Sequence, residues 1–316
     1  MPEPPFIIAT RGSALALAQA RLVFDQCRAA FPRLSFEIKI LKTTGDKLQT
    51  ASLAQAGHSL PKGLFTKELE VALLRNQADL AVHSLKDLPT ELPGGLALGA
   101  IGKREDVRDV LIYKTDSGHA GPLPQLGEGA LVATGSPRRQ AQLKAARPDL
   151  RLEEIRGNVT TRLEKLLEKD ELSGTVLAAA GLNRLDFSIT AEGRLVGDAV
   201  PEGVRAVALD TELMLPCVGQ GALGIEIRAD DGRIAKICER LNHFNTAAVV
   251  TAERAFLNAM GGGCQSPVGA HAVVEDTKLH LRAVSFLNGT VQRTEQTGEL
   301  REPAALGVAV AAALRA

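Results

Sequence analysis

The stretch Ala130-Leu131-Val132-Ala133-Thr134-Gly135-Ser136-Pro137-Arg138-Arg139 predicts a β-strand that leads directly into an α-helix. The apolar residues at its start form the strand, Ser136 is a favourable N-cap residue, and Pro137 suits the first helical position. The helix is expected to continue to residue 146. A strand, a short polar junction and a helix, repeated along a chain, are typical of an α/β fold.

The same alternation recurs on both sides of this stretch. In the first third of the chain, strands are predicted at residues 6–9, 36–40 and 78–83, and helices after Ser13 and at residues 64–75. From residue 109 onward, strands are predicted at residues 109–112, 130–133, 152–155 and 175–179, and helices at residues 137–146 and 159–168. We therefore expect two α/β domains with mainly parallel sheets.

The last part of the chain has a different pattern. Helices are predicted at residues 247–260 and 303–315, and strands at residues 270–274 and 279–284. This favours a smaller α+β C-terminal domain, in which helices cover one face of an antiparallel sheet. Residues 186–212 are rich in glycine and their periodicity is broken, so no element is predicted there.

Composition excludes several classes of protein. With 316 residues, two or three domains are expected. Lys and Arg together equal Asp and Glu at 37 each, so no overall field favours nucleic acid or an acidic membrane. Aromatic residues are scarce, which argues against base stacking. The N-terminus lacks the pattern of a signal peptide, and no apolar run reaches the ~20 residues of a membrane span.

The four cysteines show no CxxC spacing, so neither a zinc site nor a redox pair is predicted, and no metal is expected. These features together predict a soluble cytoplasmic protein with free thiols.

Three junctions share one construction, in which a strand ends, a polar residue caps a helix and arginines lie beside the cap. They are residues 10–13 with Arg11 and Ser13, residues 134–139 with Arg138 and Arg139, and residues 156–162 with Arg156 and Arg162. Free backbone N–H groups, the positive end of a helix and the guanidinium fork all suit carboxylates. One such junction is commonly just solvated, but three favour a ligand with several carboxylates.

A further polar group follows the buried strand at residues 78–83. Ser84, Lys86 and Asp87 lie where an α/β sheet places its ligands, although a structural Lys–Asp pair is the alternative. His83 is interpreted as a histidine at the edge of the core. Lys62 and Phe65 belong either to a mobile loop over the cleft or to a plain helix start.

Cys264 lies in Gly261-Gly262-Gly263-Cys264-Gln265-Ser266-Pro267. Three glycines leave one flank of the thiol open and give the backbone unusual freedom, which suits a sulfur that reaches into a cleft. A surface turn with an incidental cysteine is the alternative.

These motifs, in this order, resemble those of the porphobilinogen deaminase (hydroxymethylbilane synthase) family. The resemblance covers nearly the whole chain and is carried by Ala9-Thr10-Arg11-Gly12-Ser13, Gly63-Leu64-Phe65-Thr66-Lys67-Glu68-Leu69-Glu70, Ala81-Val82-His83-Ser84-Leu85-Lys86-Asp87, Arg138-Arg139-Gln140, Arg156-Gly157-Asn158-Val159, Val218-Gly219-Gln220-Gly221-Ala222 and Gly262-Gly263-Cys264-Gln265. Two departures are Pro137, where an aliphatic residue is expected, and a longer stretch at residues 185–215.

The resemblance implies an activity and a cofactor. The enzyme would condense four porphobilinogen molecules head to tail into hydroxymethylbilane and release ammonia. A dipyrromethane cofactor, built from the enzyme's own substrate, would be bound to Cys264 by a thioether, and Asp87 would stabilise the cationic intermediates. The remaining cofactor contacts would come from Ser84, Lys86, Thr134, Ser136, Arg138, Arg139 and Arg162. Substrate contacts would come from Arg11, Ser13, Lys62, Phe65, Arg156 and Gln220, the last at a hinge between domains.

The resemblance also implies an architecture of two periplasmic-binding-protein-like α/β domains and a third domain that carries the cofactor cysteine. We expect residues 1–105 and 221–241 in the first domain, 110–216 in the second and 243–316 in the third, in a monomer. Two other functions are less compatible with the sequence. A two-lobed polycarboxylate receptor has no use for Cys264, and a pyridoxal phosphate enzyme using Lys62 or Lys86 lacks its partner motifs.

Overall fold

Strands and helices alternate along most of the residues that the structure, a computed structural model, describes, namely 4–43, 66–114, 120–198, 200–263 and 265–315. The strands are β1 Phe6–Arg11, β2 Phe36–Leu41, β3 Leu80–Ser84, β4 Leu96–Ile101, β5 Asp109–Tyr113, β6 Leu131–Ala133, β7 Arg151–Glu153, β8 Leu172–Ala178, β9 Ser188–Ile189, β10 Leu195–Val196, β11 Arg205–Ala208, β12 Leu223–Arg228, β13 Val268–Glu275, β14 Lys278–Ser285 and β15 Gln292–Glu299. The α-helices are α1 Ala14–Ala30, α2 Lys67–Leu74, α3 Pro137–Ala146, α4 Val159–Glu168, α5 Ala179–Asn183, α6 Gly232–Leu241, α7 Phe244–Ala259 and α8 Pro303–Arg315.

The chain divides into two compact units. Unit 1 comprises Met1–Glu105 and Ala222–Thr251, and unit 2 comprises Asp106–Gly221 and Ala252–Ala316. Among the described helices, none is both long and apolar enough to cross a membrane.

The sheet of unit 1 has the order β2-β1-β3-β12-β4. Strand β1 pairs in parallel with β2 and β3, whereas β12 pairs antiparallel with β3 and β4. Four strands therefore run in one direction and β12 runs against them. The mainly parallel sheet that the alternation predicts is found, with one reversed strand that returns from far along the sequence.

Both faces of this sheet are covered, and its inner strands β1 and β3 are accordingly buried on both sides. Side chains of α1 and α6, including Val23, Cys27 and Cys238, form one core with the strands, and α2 forms the other. Burial raises the pKa of the Cys27 and Cys238 thiols to about 12. Both thiols are therefore protonated at neutral pH and act as small apolar side chains.

The sheet of unit 2 repeats the plan, with the order β7-β6-β8-β5-β11. Strand β6 pairs in parallel with β7 and β8, while β5 is antiparallel to β8 and β11. Ser136 caps α3 and Asn158 caps α4 through their side chains, and both helices have the predicted bounds. Two α/β sheets of one plan confirm the predicted fold class.

Residues 186–212, for which no element is predicted, form short strands. β9 and β10 make a two-stranded antiparallel sheet, and β11 is the edge strand of the large sheet. Phe187, Leu195 and Val204 anchor this segment in the core. Its strands are too short for an alternation of apolar and polar residues to be recognised in the sequence.

Unit 2 also contains the predicted antiparallel sheet, in the order β13-β14-β15, with α8 packed on β14 and β15. The third strand was not predicted. The sequence of β15, Gln292 to Glu299, alternates half-buried and exposed residues but has no apolar side on which a strand pattern could be recognised.

Helix α8 packs so closely on α7 that Gly307 has no room for a side chain. A Cβ there would lie 2.2 Å from the Ala252 carbonyl oxygen and 2.7 Å from the Phe256 nitrogen. We expect Gly307→Ala to lower the free energy of unfolding by at least about 2 kcal/mol, because overpacking forces the helices apart. Gly232→Ala is the matched control, since Gly232 also lies in a helix but has nothing within 4 Å of the added Cβ. Urea unfolding followed by circular dichroism checks this, and equal midpoints for the two variants would contradict it.

Candidate functional site

The predicted site residues of unit 1 lie at the ends of two adjacent strands. Arg11 is the last residue of β1, and Ser13 follows it as the N-cap of α1. Ser84 ends β3, and Lys86 and Asp87 lie in the single turn of 3-10 helix that follows. Because β1 and β3 are parallel neighbours, their carboxyl ends meet at the same edge of the sheet.

The turn that carries Asp87 is held in place where it leaves β3. The Leu85 N–H donates to the Ala222 carbonyl at 3.0 Å, and Gln19 donates to the Ser84 hydroxyl at 2.7 Å. Gly224 lets Leu85 approach, because a Cβ at Gly224 would lie 2.7 Å from the Leu85 Cδ1. Asp87 itself is exposed. Its carboxylate is thus presented from a fixed backbone, which suits a group that must meet a developing cation.

Behind this turn lies a buried group of ionisable side chains. His83 Nε2 lies 2.9 Å from Glu226 Oε2, and the side chains are 4% and 0% exposed. Glu70, in the first turn of α2, interacts electrostatically with both residues. Burial raises the pKa of the Glu70 carboxyl above its usual value, and the charge of Glu226 adds to the effect, against a hydrogen bond with Thr66. His83 is therefore part of the core.

Unit 2 places its predicted residues in the same way. Thr134 and Ser136 follow β6, and Arg138 and Arg139 occupy the first turn of α3. The Thr134 hydroxyl accepts a bond from the Ser136 N–H at 3.3 Å, and the Thr134 carbonyl accepts one from Gln140 at 2.7 Å. The junction is therefore ordered by its own polar groups, and it points the start of α3 toward the carboxyl edge of the sheet.

Arg138 and Arg139 share one buried carboxylate. Asp109, the first residue of β5, is fully buried and lies 2.8 Å from Arg138 Nη1 and 2.7 Å from Arg139 Nη2. Because β5 runs antiparallel to β8, its first residue lies at the edge where β6 and β8 end. The arginine side chains are only 3% and 7% exposed.

Backbone carbonyls and Gln220 complete this group. Arg138 Nη1 donates to the Leu215 carbonyl at 2.6 Å, and Gln220 Nε2 donates to Asp109 Oδ1 at 3.0 Å and to the Val107 carbonyl at 2.7 Å. Burial alone would raise the pKa of Asp109, but the charges of the two arginines outweigh it and hold that pKa well below its usual range. Asp109 is therefore ionised throughout the working pH range.

The third junction is more open. Arg156 is exposed, and its Nη2 lies 3.1 Å from Glu154 in a pair that is also exposed and contributes little stability. Arg162 is half-buried, and its Nε donates to the Gly157 carbonyl at 2.8 Å. The structure thus holds Arg138 and Arg139 rigidly and leaves Arg156 at the surface.

Three predicted site residues, Lys62, Phe65 and Cys264, lie outside the described residues. Beside Cys264, helix α7 ends with Gly261 at φ +67°, and the Gly262 N–H returns to the Leu257 carbonyl at 3.2 Å. This is the usual glycine-based helix stop. On the other side, the Ser266 hydroxyl accepts a bond from the Gly263 N–H at 3.1 Å.

Glu253, which was not predicted, ties the segment that contains Gln220 to β13. Its Oε2 accepts a bond from the Gly219 N–H at 2.8 Å, and its Oε1 accepts one from the Ala272 N–H at 2.9 Å. Glu253 is fully buried. The backbone beside Gln220 is therefore fixed to the strand that follows Cys264 in sequence.

The residues that sequence reasoning missed are mostly buried acids and their partners, namely Asp109, Glu226, Glu253 and Gln19. Each acts through a partner distant in sequence, as in the separation of 143 residues between His83 and Glu226. Their local sequences show only a polar residue within an apolar stretch. Within the described part of the chain, no cluster of His, Cys, Asp or Glu could hold a metal ion.

Family models and relatives of similar sequence identify one family. A family model described as "Porphobilinogen deaminase, dipyromethane cofactor binding domain" matches residues 6–236, and the model of the C-terminal domain of the same enzyme matches residues 247–316. The chain is 49% identical to the porphobilinogen deaminase of Moorella thermoacetica, covering 95% of this chain and 90% of that protein. It is 46% identical to the porphobilinogen deaminase of Desulforudis audaxviator, covering 98% and 93%.

The buried carboxyl of Glu70 predicts a pH dependence of stability. A raised pKa means that the folded protein binds this proton more tightly than the unfolded chain, whose Glu pKa is about 4.3. The ionised form therefore destabilises the fold above the folded pKa, and this effect disappears as the pH falls through that pKa toward 4.3. We expect Glu70→Gln to be more stable than wild type at pH 8, with a difference that shrinks toward pH 4.5.

Urea unfolding at pH 8, 6 and 4.5 measures this difference. Glu239→Gln, an exposed change on α6 of the same unit, is the control and should leave the stability of the protein unaltered at each pH. A Glu70→Gln effect that stays constant across the three pH values would show that burial of the charge is not its cause.

Proposed function

The chain belongs to the porphobilinogen deaminase family, and from that premise we propose which of its residues carry out the reaction. The enzyme is a transferase that joins four porphobilinogen molecules head to tail into hydroxymethylbilane and releases ammonia at each addition. It works with a dipyrromethane cofactor. When bound, that cofactor supplies the primer to which the new pyrrole units are joined.

The observation that carries the assignment of the binding residues is the arginine pair at the start of α3. Substrate and cofactor both bear carboxylates, which suit guanidinium groups at the positive end of a helix. Arg138 Nε is buried and has no hydrogen-bond partner within the described residues. A buried cationic donor without an acceptor is costly, so a ligand carboxylate fits this position.

We assign cofactor contacts to the residues at the starts of α3 and α4 in unit 2 and to two residues just before Asp87 in unit 1. They are Thr134, Ser136, Arg138, Arg139 and Arg162, together with Ser84 and Lys86. Substrate contacts are assigned to Arg11, Ser13, Lys62, Phe65, Arg156 and Gln220. The exposed Arg156 supports a role with an incoming molecule, because its guanidinium exchanges its surface partner Glu154 at little cost.

Asp87 is proposed as the catalytic group. Loss of ammonia from the substrate leaves a cation, and formation of the next carbon–carbon bond moves this positive charge to the nitrogen of the attacking pyrrole ring. A carboxylate held on a fixed turn stabilises the charge in both positions and can accept the proton that leaves. Its exposure and the two hydrogen bonds that hold its turn support this role.

Cys264 is proposed as the residue that bears the cofactor. Two other cysteines, Cys27 and Cys238, are buried thiols with a pKa of about 12 and so offer no thiolate at neutral pH. The thiol of the half-buried Cys217 donates a hydrogen bond to Gln220 Oε1 at 3.4 Å. The glycines beside Cys264 follow the end of α7, and a Cβ added at Gly261 or Gly263 would have no described atom within 4 Å.

We further propose that the enzyme is a cytoplasmic monomer of three domains, with residues 1–105 and 221–241 in the first, 110–216 in the second and 243–316 in the third. The antiparallel sheet β13-β14-β15 with α8 supports a distinct third domain, since its strands pair only with one another among the described strands.

The assignment of Cys264 as the cofactor-bearing residue predicts the mass of the purified protein. Protein from cells that make porphobilinogen should exceed its sequence mass by two linked pyrrole units, and Cys264→Ser should lose this excess because no sulfur remains to form the thioether. Cys217→Ser, a change at a half-buried thiol, is the control and should keep it. Intact-mass spectrometry with peptide mapping decides the matter, and an unmodified wild-type protein would overturn the assignment.

The assignment of Asp87 as the catalytic group predicts that its replacement slows chain extension. Asp87→Asn should fold normally and lose about 10²- to 10³-fold in the rate of chain extension, because an amide offers no negative charge to the cation. Glu91→Gln, which removes an exposed carboxylate four residues later, is the control. Single-turnover kinetics on protein that already carries the cofactor measures the step. Extension by Asp87→Asn at nearly the wild-type rate would make Asp87 a structural residue.

A further inference from the structure

We infer that Asp109 is a positioning residue that orients Arg138 so that the Nε–Nη2 edge of its guanidinium is the edge that binds a ligand carboxylate. The inference rests on the proposed function and assigns a role within it to a residue that neither the motifs nor the comparisons single out. Three observations carry it: the different use that the two arginines make of Asp109, the unpartnered Nε of Arg138, and the charge of the group.

Arg139 uses the side edge of its guanidinium on Asp109. Its Nε and Nη2 both donate to Asp109 Oδ1, at 3.1 and 2.7 Å, and its Nη1 donates to the Val176 carbonyl at 2.7 Å. This Nε–Nη2 edge is the one that commonly binds a carboxylate through two parallel hydrogen bonds. Arg139 is thus held as the partner of Asp109, and its side edge is already occupied.

Arg138 meets Asp109 in a different way. Among the described residues only its Nη1 has partners: it donates to the Leu215 carbonyl at 2.6 Å and forms an ion pair with Asp109 Oδ2 at 2.8 Å. Asp109 Oδ2 accepts no directed hydrogen bond there, so Arg138 meets Asp109 through charge and not through the two parallel bonds of a guanidinium fork. Nε is buried without a hydrogen-bond partner among the described residues. The Nε–Nη2 edge, which matches the two oxygens of a carboxylate, is the edge that remains.

The charges of the group agree with this geometry. Two guanidinium cations and one carboxylate leave one net positive charge, and Arg139 already faces Asp109 through its side edge. The remaining charge therefore lies with Arg138, next to its unpartnered Nε. Without Asp109, two like charges on consecutive residues of one helical turn would repel each other and turn apart. Gln220 donates to Asp109 Oδ1 and holds the carboxylate in place.

The experiment compares Asp109→Asn with a matched change in the same unit. Asp149 pairs with the buried Arg147 at 2.7 Å, and neither residue belongs to the proposed site. Each protein is purified from cells that make porphobilinogen, its fold is checked by circular dichroism, and its cofactor loading is measured by intact mass. For the loaded fraction, kcat and KM for porphobilinogen are determined separately.

We expect folded Asp109→Asn to be mostly unloaded and its loaded fraction to have kcat/KM lowered about 100-fold, as for a misplaced binding group. Asp149→Asn should lose stability but keep its loading and its kcat/KM. A folded Asp109→Asn that is loaded and active like wild type overturns the inference. Failure of wild type to carry a cofactor or turn over would instead overturn the proposed function.

Two further variants address the case in which Asp109→Asn does not fold. Asp109→Asn combined with Arg139→Gln keeps the net charge of the group, and Arg138→Lys keeps a cation beside Asp109 but has no Nε–Nη2 edge. The inference expects both to lose loading, whereas Arg147→Lys, the same change in the control pair, retains it. Wild-type loading in either variant of the group overturns the inference.

Discussion

The buried ion pairs of Asp109 with Arg138 and Arg139 are the interaction on which unit 2 depends. They join the first residue of β5 to the first turn of α3, and through Gln220 and the Leu215 carbonyl they fix the segment that leads out of the unit. Taking three charges out of water is expensive, and the cost is offset because nearly every bond is charge-assisted. Removing one member leaves a buried charge without a partner, which typically costs about 3–5 kcal/mol.

Local elements could be predicted because their causes are local. Ser136 and Asn158 supply side-chain oxygens at the starts of α3 and α4, and the strands before them are short apolar runs, so the sequence predicts the helix bounds that the structure has. Strand β15 was missed for a physical reason. Its inward side chains are polar and only half buried, and a pattern of hydrophobicity cannot reveal a strand whose stability comes from pairing with β14.

The candidate site could be located from the sequence only as far as its causes are local. The N-cap chemistry and the arginines identify the junctions, and the resemblance adds the roles, but neither tells a buried arginine from an exposed one. Arg139 is 7% exposed and bonded to Asp109, while Arg156 lies at the surface. That difference depends on Asp109, 30 residues before Arg139, and on the antiparallel course of β5. Side-chain pairs between residues far apart in sequence leave no local sequence pattern. For the same reason, Glu226 and Glu253 were not predicted as part of the site.

The position of β12 has a consequence for the synthesis of the protein. In the order β2-β1-β3-β12-β4, the strand made of residues 223–228 lies between two strands that are complete by residue 101. Until it emerges from the ribosome, β3 and β4 have unpaired edges, and His83 lacks Glu226. The N-terminal region therefore spends the translation of more than a hundred residues with open, apolar strand edges, the state in which chains aggregate and chaperones bind. Because synthesis proceeds from the N-terminus, the unit that is started first must wait for one of the inner strands of its sheet.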